Sequence, residues 1–190
     1  MKILFLGDVV GVSGCSKILN NLKSEVEKKK IDFVIVNGEN SAEPGVGLTE
    51  KTCKDFFNCG VNVITSGNHV WDQKEIMSYI DKENRLLRPY NLFEPSPGKG
   101  FEIFKTSNDI KVGVLNLMGN VFMKKCEDVF EIAKRFLKDH SLKEDYDLLI
   151  VDFHGEITSE KNAIGHFFDG RATLVVGTHT HIPTNDARIL

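Results

Sequence analysis

Short apolar runs that each close on a carboxylate, carboxamide or imidazole recur along this chain, and that recurrence limits its fold more than any other feature. Lys2 to Leu6 is closed by Gly7 and followed by Asp8, and Phe33 to Val36 leads into Asn37-Gly38-Glu39-Asn40. Val61 to Thr65 runs into Gly67-Asn68-His69, Leu148 to Phe153 ends at His154, and Ala172 to Val176 delivers Gly177-Thr178-His179-Thr180-His181. Continuous apolar runs of this length read as strands buried on both faces. Between them lie helical patterns. After Gly11 and Gly14, residues Cys15, Ile18, Leu19, Leu22 and Val26 recur at helical spacing with Lys and Glu on the other face, an amphipathic helix covering a sheet. Lys28 to Lys30 falls where that helix should end and complements its dipole.

Thr49 reads as the N-cap of a short helix to Asn58, with Gly60 just past its end. Asp72 followed by Glu75 has the spacing of a capping box, opening a helix through Ile80. Pro89, Pro95, Pro97, Gly98 and Gly100 then mark a long loop. Phe101 to Thr106 and Ile110 to Leu117 read as a hairpin joined by Ser107-Asn108-Asp109, so the sheets are mixed rather than purely parallel. Glu127 to Leu137 carries Val129, Phe130, Ala133, Phe136 and Leu137 on one helical face, and Ser159 to Phe168 is a short helix. The alternation predicts an α/β fold with helices outside the sheets, and in such folds ligands collect at the carboxyl ends of strands.

With 190 residues, 41% of them hydrophobic, the chain has material for one substantial core, and residues 1–190 read as a single domain. A net charge of -3 and a pI near 6.1 supply no broad basic field, which speaks against general attraction to nucleic acid or membrane. The N-terminal apolar run is too quickly interrupted for a signal peptide or a spanning helix, so a soluble cytoplasmic protein is expected. Cys15, Cys53, Cys59 and Cys126 contain no C-x-x-C pair and read as free thiols, buried or half-buried on helices.

The chemistry rests on Asp8, Glu39, Asn40, Asn68, His69, His154, His179 and His181, contributed by five strand ends. On an extended segment His179 and His181 point to one face and can serve one ion or two neighbouring ions. Singly, each residue has a structural reading: Asp8 as a helix cap, Glu39 and Asn40 as loop polar groups, Asn68 as a turn, His154 as a buried, bonded histidine. Five oxygen or imidazole donors at the same end of the sheets are harder to explain that way. Mixed imidazole and carboxylate without thiolate suits first-row transition ions. The donors are too many for one tetrahedral ion and suit two ions about 3.5 to 4 Å apart sharing a carboxylate. His140, at a helix end, and His166, inside a helix, are expected outside the site. Asp152 and Glu156 are candidates to orient ligand imidazoles, and Trp71 with the loop from Asn40 to Leu48 to shape the substrate side.

Gly7-Asp8-Val9-Val10-Gly11, Asn37-Gly38-Glu39-Asn40, Thr65-Ser66-Gly67-Asn68-His69, Val151-Asp152-Phe153-His154 and Gly177-Thr178-His179-Thr180-His181 together give the chain a family resemblance. It resembles the calcineurin-like metallophosphoesterases and, within them, the YmdB-type phosphodiesterases. Val10 stands where the wider superfamily has a second histidine ligand, and Glu39-Asn40 where it has an Asp-containing motif, both as in the narrower family. The resemblance implies a four-layer α/β/β/α sandwich with mixed sheets and a homo-oligomer. It implies Asp8, Asn40 and His181 on one metal, Asn68, His154 and His179 on the other, and Glu39 bridging. His69 would be the general acid, and a metal-bridging hydroxide the nucleophile. The cofactors implied are two divalent or mixed-valence transition ions, iron or manganese with zinc as a further candidate, and the substrate is a cyclic nucleotide or similar small phosphodiester.

Two departures accompany the match. The chain stops at Arg188-Ile189-Leu190, short of the C-terminal strands the resemblance leads one to expect, and Met123-Lys124-Lys125-Cys126 lacks the proline-containing stretch expected after Val121-Phe122. Two other functions use the same residues: a metal-binding regulatory protein with little turnover, and a dinuclear-metal nuclease acting on RNA. The nuclease calls for an extended basic groove, which the acidic composition does not favour.

Overall fold

A computed structural model describes Met1 to Leu190. The apolar runs form seven strands: β1 Ile3–Leu6, β2 Phe33–Asn37, β3 Val63–Thr65, β4 Phe101–Lys105, β5 Lys111–Met118, β6 Leu148–His154 and β7 Leu174–Thr178. Five helices join them: α1 Gly11–Lys29, α2 Glu50–Cys59, α3 Ile76–Tyr79, α4 Val129–Asp139 and α5 Thr158–Phe167. One sheet has the order β1-β2-β3 and is wholly parallel. The other has the order β4-β5-β6-β7, parallel except for the β4-β5 hairpin.

Period-two alternation explains why these strands read as unbroken apolar runs, since both faces are covered. Val34 and Val36 pack with Ile18 and Leu22 of α1 and Phe56 of α2, while Phe33 and Ile35 meet Val112, Val114 and Ile150 between the sheets. Leu115, Leu149 and Val151 face outward again, onto Phe136 of α4 and Ile164 of α5. Helices, sheet, sheet and helices therefore stack as four layers, the α/β/β/α sandwich. No helix is long and apolar enough to cross a membrane.

Capping follows the sequence at α2. The Thr49 hydroxyl accepts from the Thr52 N–H at 3.1 Å, and Gly60 closes the helix at φ +108°. Thr49→Ala is expected to cost about 1 kcal/mol, lowering the midpoint of a thermal melt followed by circular dichroism by about 2–4 °C.

Several elements differ from the sequence reading. Asp72 and Glu75 form no capping box: α3 is a single turn followed by a 3₁₀ turn over Ile80–Lys82. Glu75 instead accepts from the Glu50 N–H at 2.9 Å, capping α2, and Asp72 bonds His69. The strands β1 and β7, each an edge of its sheet, are only partly buried, with Leu174 exposed. Leu19 is exposed beside a shallow groove with Lys23 and Asp55 rather than in the core. All four cysteines are free, three on helices as expected, but Cys126 lies in the loop before α4. His140 caps α4 and packs on Phe101 and Phe136, and His166 is exposed on α5, both away from the motifs.

Candidate metal centre

Every candidate ligand is carried at the carboxyl end of a parallel strand, so strand direction gathers them at one end of the sandwich. Asp8 follows β1, Glu39 and Asn40 follow β2, Asn68 and His69 follow β3, His154 is the last residue of β6, and His179 and His181 follow β7. Backbone bonds fix the first two loops to each other: the Val9 N–H donates to the Asn37 carbonyl at 3.0 Å, and the Gly11 N–H to the Asn40 carbonyl at 2.8 Å. Gly67 makes the close approach possible. A Cβ there would collide with the His154 ring and the Glu39 carboxylate, so no other residue fits without displacing both.

His179 and His181 are not on an extended segment. The ladder ends at Thr178, and they follow at φ +97° and +55°. Side chains avoid that region, and strain of this kind collects where surrounding contacts hold a residue for use. Here the His179 N–H donates to Asp8 Oδ2 at 3.0 Å, tying the end of β7 to that of β1.

The interior of the cluster is short of protons. Thr178 Oγ1 donates to Asp152 Oδ1 at 2.7 Å, so it accepts from His154 Nδ1 at 3.0 Å, and the neutral His154 ring keeps its lone pair on Nε2. That atom faces Glu39 Oε1 at 2.9 Å, Asn68 Oδ1 at 3.0 Å and His179 Nδ1 at 3.1 Å. His179 in turn directs Nε2 at Glu156 Oε2, 3.0 Å away, which places its proton there and its lone pair inward. A second proton on His154 matches one of these contacts and leaves the others facing one another. A cation matches all of them. The buried Asp8 Oδ1 and Asn40 Oδ1 also have no hydrogen-bond partner, a costly state for an acceptor unless a cation serves it. The residues present therefore fit metal.

Glu39 is the meeting point. Its side chain is fully buried, takes the Asn40 Nδ2–H at 3.1 Å on Oε1 and the His69 N–H at 3.1 Å on Oε2, and Asn40 Nδ2 lies 3.5 Å from His181 Nε2. The ligand atoms of Glu39, His154 and His179 lie within 4.8 Å of one another. Burial alone would raise the Glu39 carboxyl, but a proton on His154 Nε2, the one contact a doubly protonated ring can match, would together with the His69 N–H outweigh it and hold the carboxyl below the usual carboxylate range. Burial lowers His179 and favours the neutral imidazole that metals bind.

His69 stands at the rim. Its ring is 32% exposed, and Nδ1 lies 2.6 Å from Asp72 Oδ2, while Asp72 Oδ1 takes Lys124 Nζ at 3.3 Å. Asp152 touches no histidine directly. Fully buried, it accepts from Thr178, Thr65 and Asn37 and reaches His154 only through the Thr178 hydroxyl, whereas Glu156 touches His179 directly. Burial pushes the Asp152 carboxyl up to about 6 in spite of these donors. Asn37, Thr65 and Thr178 were not legible as site residues. Their only sequence signal is that each is a polar residue ending an otherwise apolar strand. Trp71 is partly buried against the core on the first sheet's helical side, and Gln73 Nε2 ties the 43–47 loop to this rim through the Val46 carbonyl at 2.8 Å.

The chain is 44% identical over 190 residues to the 2',3'-cyclic-nucleotide 2'-phosphodiesterase of Bacillus subtilis strain 168, covering all of this chain and 70% of that one. The crystal structure of a novel phosphatase from Mycoplasma pneumoniae superposes with a TM-score of 0.89 at 41% identity, covering 100% of this chain and 68% of that one. A hypothetical protein from Thermus thermophilus superposes with a TM-score of 0.88 at 36% identity over 99% of this chain and 71% of its own. A family model described as YmdB-like protein matches residues 4–190, and the chain belongs to that family.

Proposed function

We propose that this chain is a metal-dependent phosphodiesterase acting on cyclic nucleotides or similar small phosphodiesters. Relatives named as a phosphodiesterase and a phosphatase support phosphoester hydrolysis. The observation that carries the metal dependence is the convergence of acceptor atoms from Glu39, Asn68 and His179 on the unprotonated Nε2 of His154. In this reading Asn68, His154 and His179 hold one ion, Asp8, Asn40 and His181 hold a second, and Glu39 serves both. Iron and manganese suit the donor set, with zinc a further candidate. Two such ions supply Lewis-acid polarisation of a phosphoryl oxygen and a nucleophile at neutral pH.

The chain's own residues do the remaining work. Glu156 and the Thr178 hydroxyl fix the tautomers of His179 and His154, so that lone pairs rather than protons point inward. Asp72 engages Nδ1 of His69, which leaves Nε2 as the atom that carries the working proton. As the P–O bond to the leaving alkoxide breaks, His69 Nε2 donates that proton to the departing oxygen, and Asp72 stabilises the charged ring before transfer. Asp72→Asn is expected to lower kcat about 10- to 100-fold while KM and metal content hold. Steady-state kinetics with metal analysis on the same preparation checks this.

Metal content measured alongside hydrolysis of bis-p-nitrophenyl phosphate, with and without added Mn²⁺, tests the whole reading. About two ions per chain and turnover that chelation abolishes are expected. Stoichiometric metal without turnover would instead make this a metal-binding protein.

A further inference from the structure

The loop from Gly119 to Glu127, after β5, contributes no ligand, yet it is built with care. Glu160 of α5, itself buried, spends its carboxylate on the Asn120 N–H at 2.8 Å and the Val121 N–H at 3.5 Å. Asn120 reaches the Val129 N–H and the Glu127 carbonyl, and Asn91 also holds the Glu127 carbonyl, so both ends of the loop are pinned. Its tip is Phe122, which is 83% exposed and sits at φ +60°. An aromatic residue rarely adopts that conformation, and an aromatic ring serving the core would be covered. Two residues on, Lys124 Nζ bonds Asp72, whose other oxygen holds His69. Strain, an uncovered ring and an anchored loop thus coincide on a segment that Lys124 joins, through Asp72, to the working histidine.

We propose that Phe122 is the platform on which the nucleobase of the substrate stacks. The proposal rests on the phosphodiesterase reading above and extends it to how the organic part of the diester is recognised. A flat ring projecting into water suits a flat partner, and every base has a π face, so this contact confers affinity for nucleotides without choosing among bases. The loop's anchoring keeps the ring in place before the ligand arrives, which reduces the ordering that binding must supply. Phe122 would then set KM, while His69 and the ligand residues set kcat.

The test compares wild type, Phe122→Ala and Phe122→Trp on 2',3'-cyclic adenosine monophosphate and on the base-free glycerol 1,2-cyclic phosphate. In the alanine variant KM for the nucleotide should rise about 5- to 100-fold, with kcat and the base-free substrate little changed, and tryptophan should retain tight binding. Equal losses on both substrates, or no change on either, would overturn the proposal. If wild type hydrolyses neither compound, the phosphodiesterase reading fails, and equilibrium dialysis decides the platform separately. Adenosine monophosphate should bind more weakly to Phe122→Ala than to wild type while glycerol phosphate binds both alike; equal adenosine monophosphate binding would refute it.

Discussion

His69→Ala is expected to lower turnover about 10²- to 10⁴-fold, the usual contribution of a positioned general acid, while metal content stays at the wild-type level. The second half of that expectation follows from how His69 touches the centre. Only its backbone N–H reaches Glu39, at 3.1 Å, and alanine keeps that bond. The ring itself is committed to Asp72. The loss should also depend on the leaving group: an ester of p-nitrophenol departs with little protonation, whereas a ribose or alkyl oxygen does not. A mutant that loses equally on both would show that His69 positions the substrate rather than supplying its proton. Loss of metal together with rate would place it among the ligands.

Asp152→Ala should produce the largest stability effect of any substitution in this region. Its carboxylate is fully buried and accepts hydrogen bonds from the Thr178 and Thr65 hydroxyls and the Asn37 amide, so alanine leaves both hydroxyls without an acceptor and the Asn37 amide with only its longer bonds to Ser66 and Thr178. Breaking a buried polar network of this kind costs about 3–5 kcal/mol, which is a fall of about 10 °C in the calorimetric melting temperature. Thr178→Val keeps the volume and removes the hydroxyl that connects Asp152 to His154. It should lose less stability but weaken metal binding about 10- to 100-fold. A calorimetric trace for Asp152→Ala that matches wild type would remove Asp152 from this role.

The ligand residues were legible because each follows an apolar run, and strand direction in an α/β fold puts such positions at one end. Their supporting partners were not. Asp72 has the spacing to Glu75 of a helix cap, and local spacing alone cannot tell a cap from a residue that holds a histidine three positions back. Thr65 and Asn37 meet Asp152 across the gap between sheets, a relation set by how the sheets stack rather than by either strand's own pattern. The left-handed turns at His179 and His181 were equally hidden, since nothing in Thr-His-Thr-His announces positive φ. The partial exposure of β1 was hidden for a similar reason: a parallel edge strand and a parallel central strand carry the same apolar composition.

That edge placement bears on how the protein opens. Strands with a single neighbour are the first to fray, and here β1 and β7 are the strands that launch Asp8 on one side and His179 and His181 on the other. Their carboxyl ends already share one bond, from the His179 N–H to Asp8. A cation held between them would act as a clasp on two frays at once. Loading would slow amide exchange at the ends of β1 and β7 while leaving the paired interior of β2 and β6 almost unchanged.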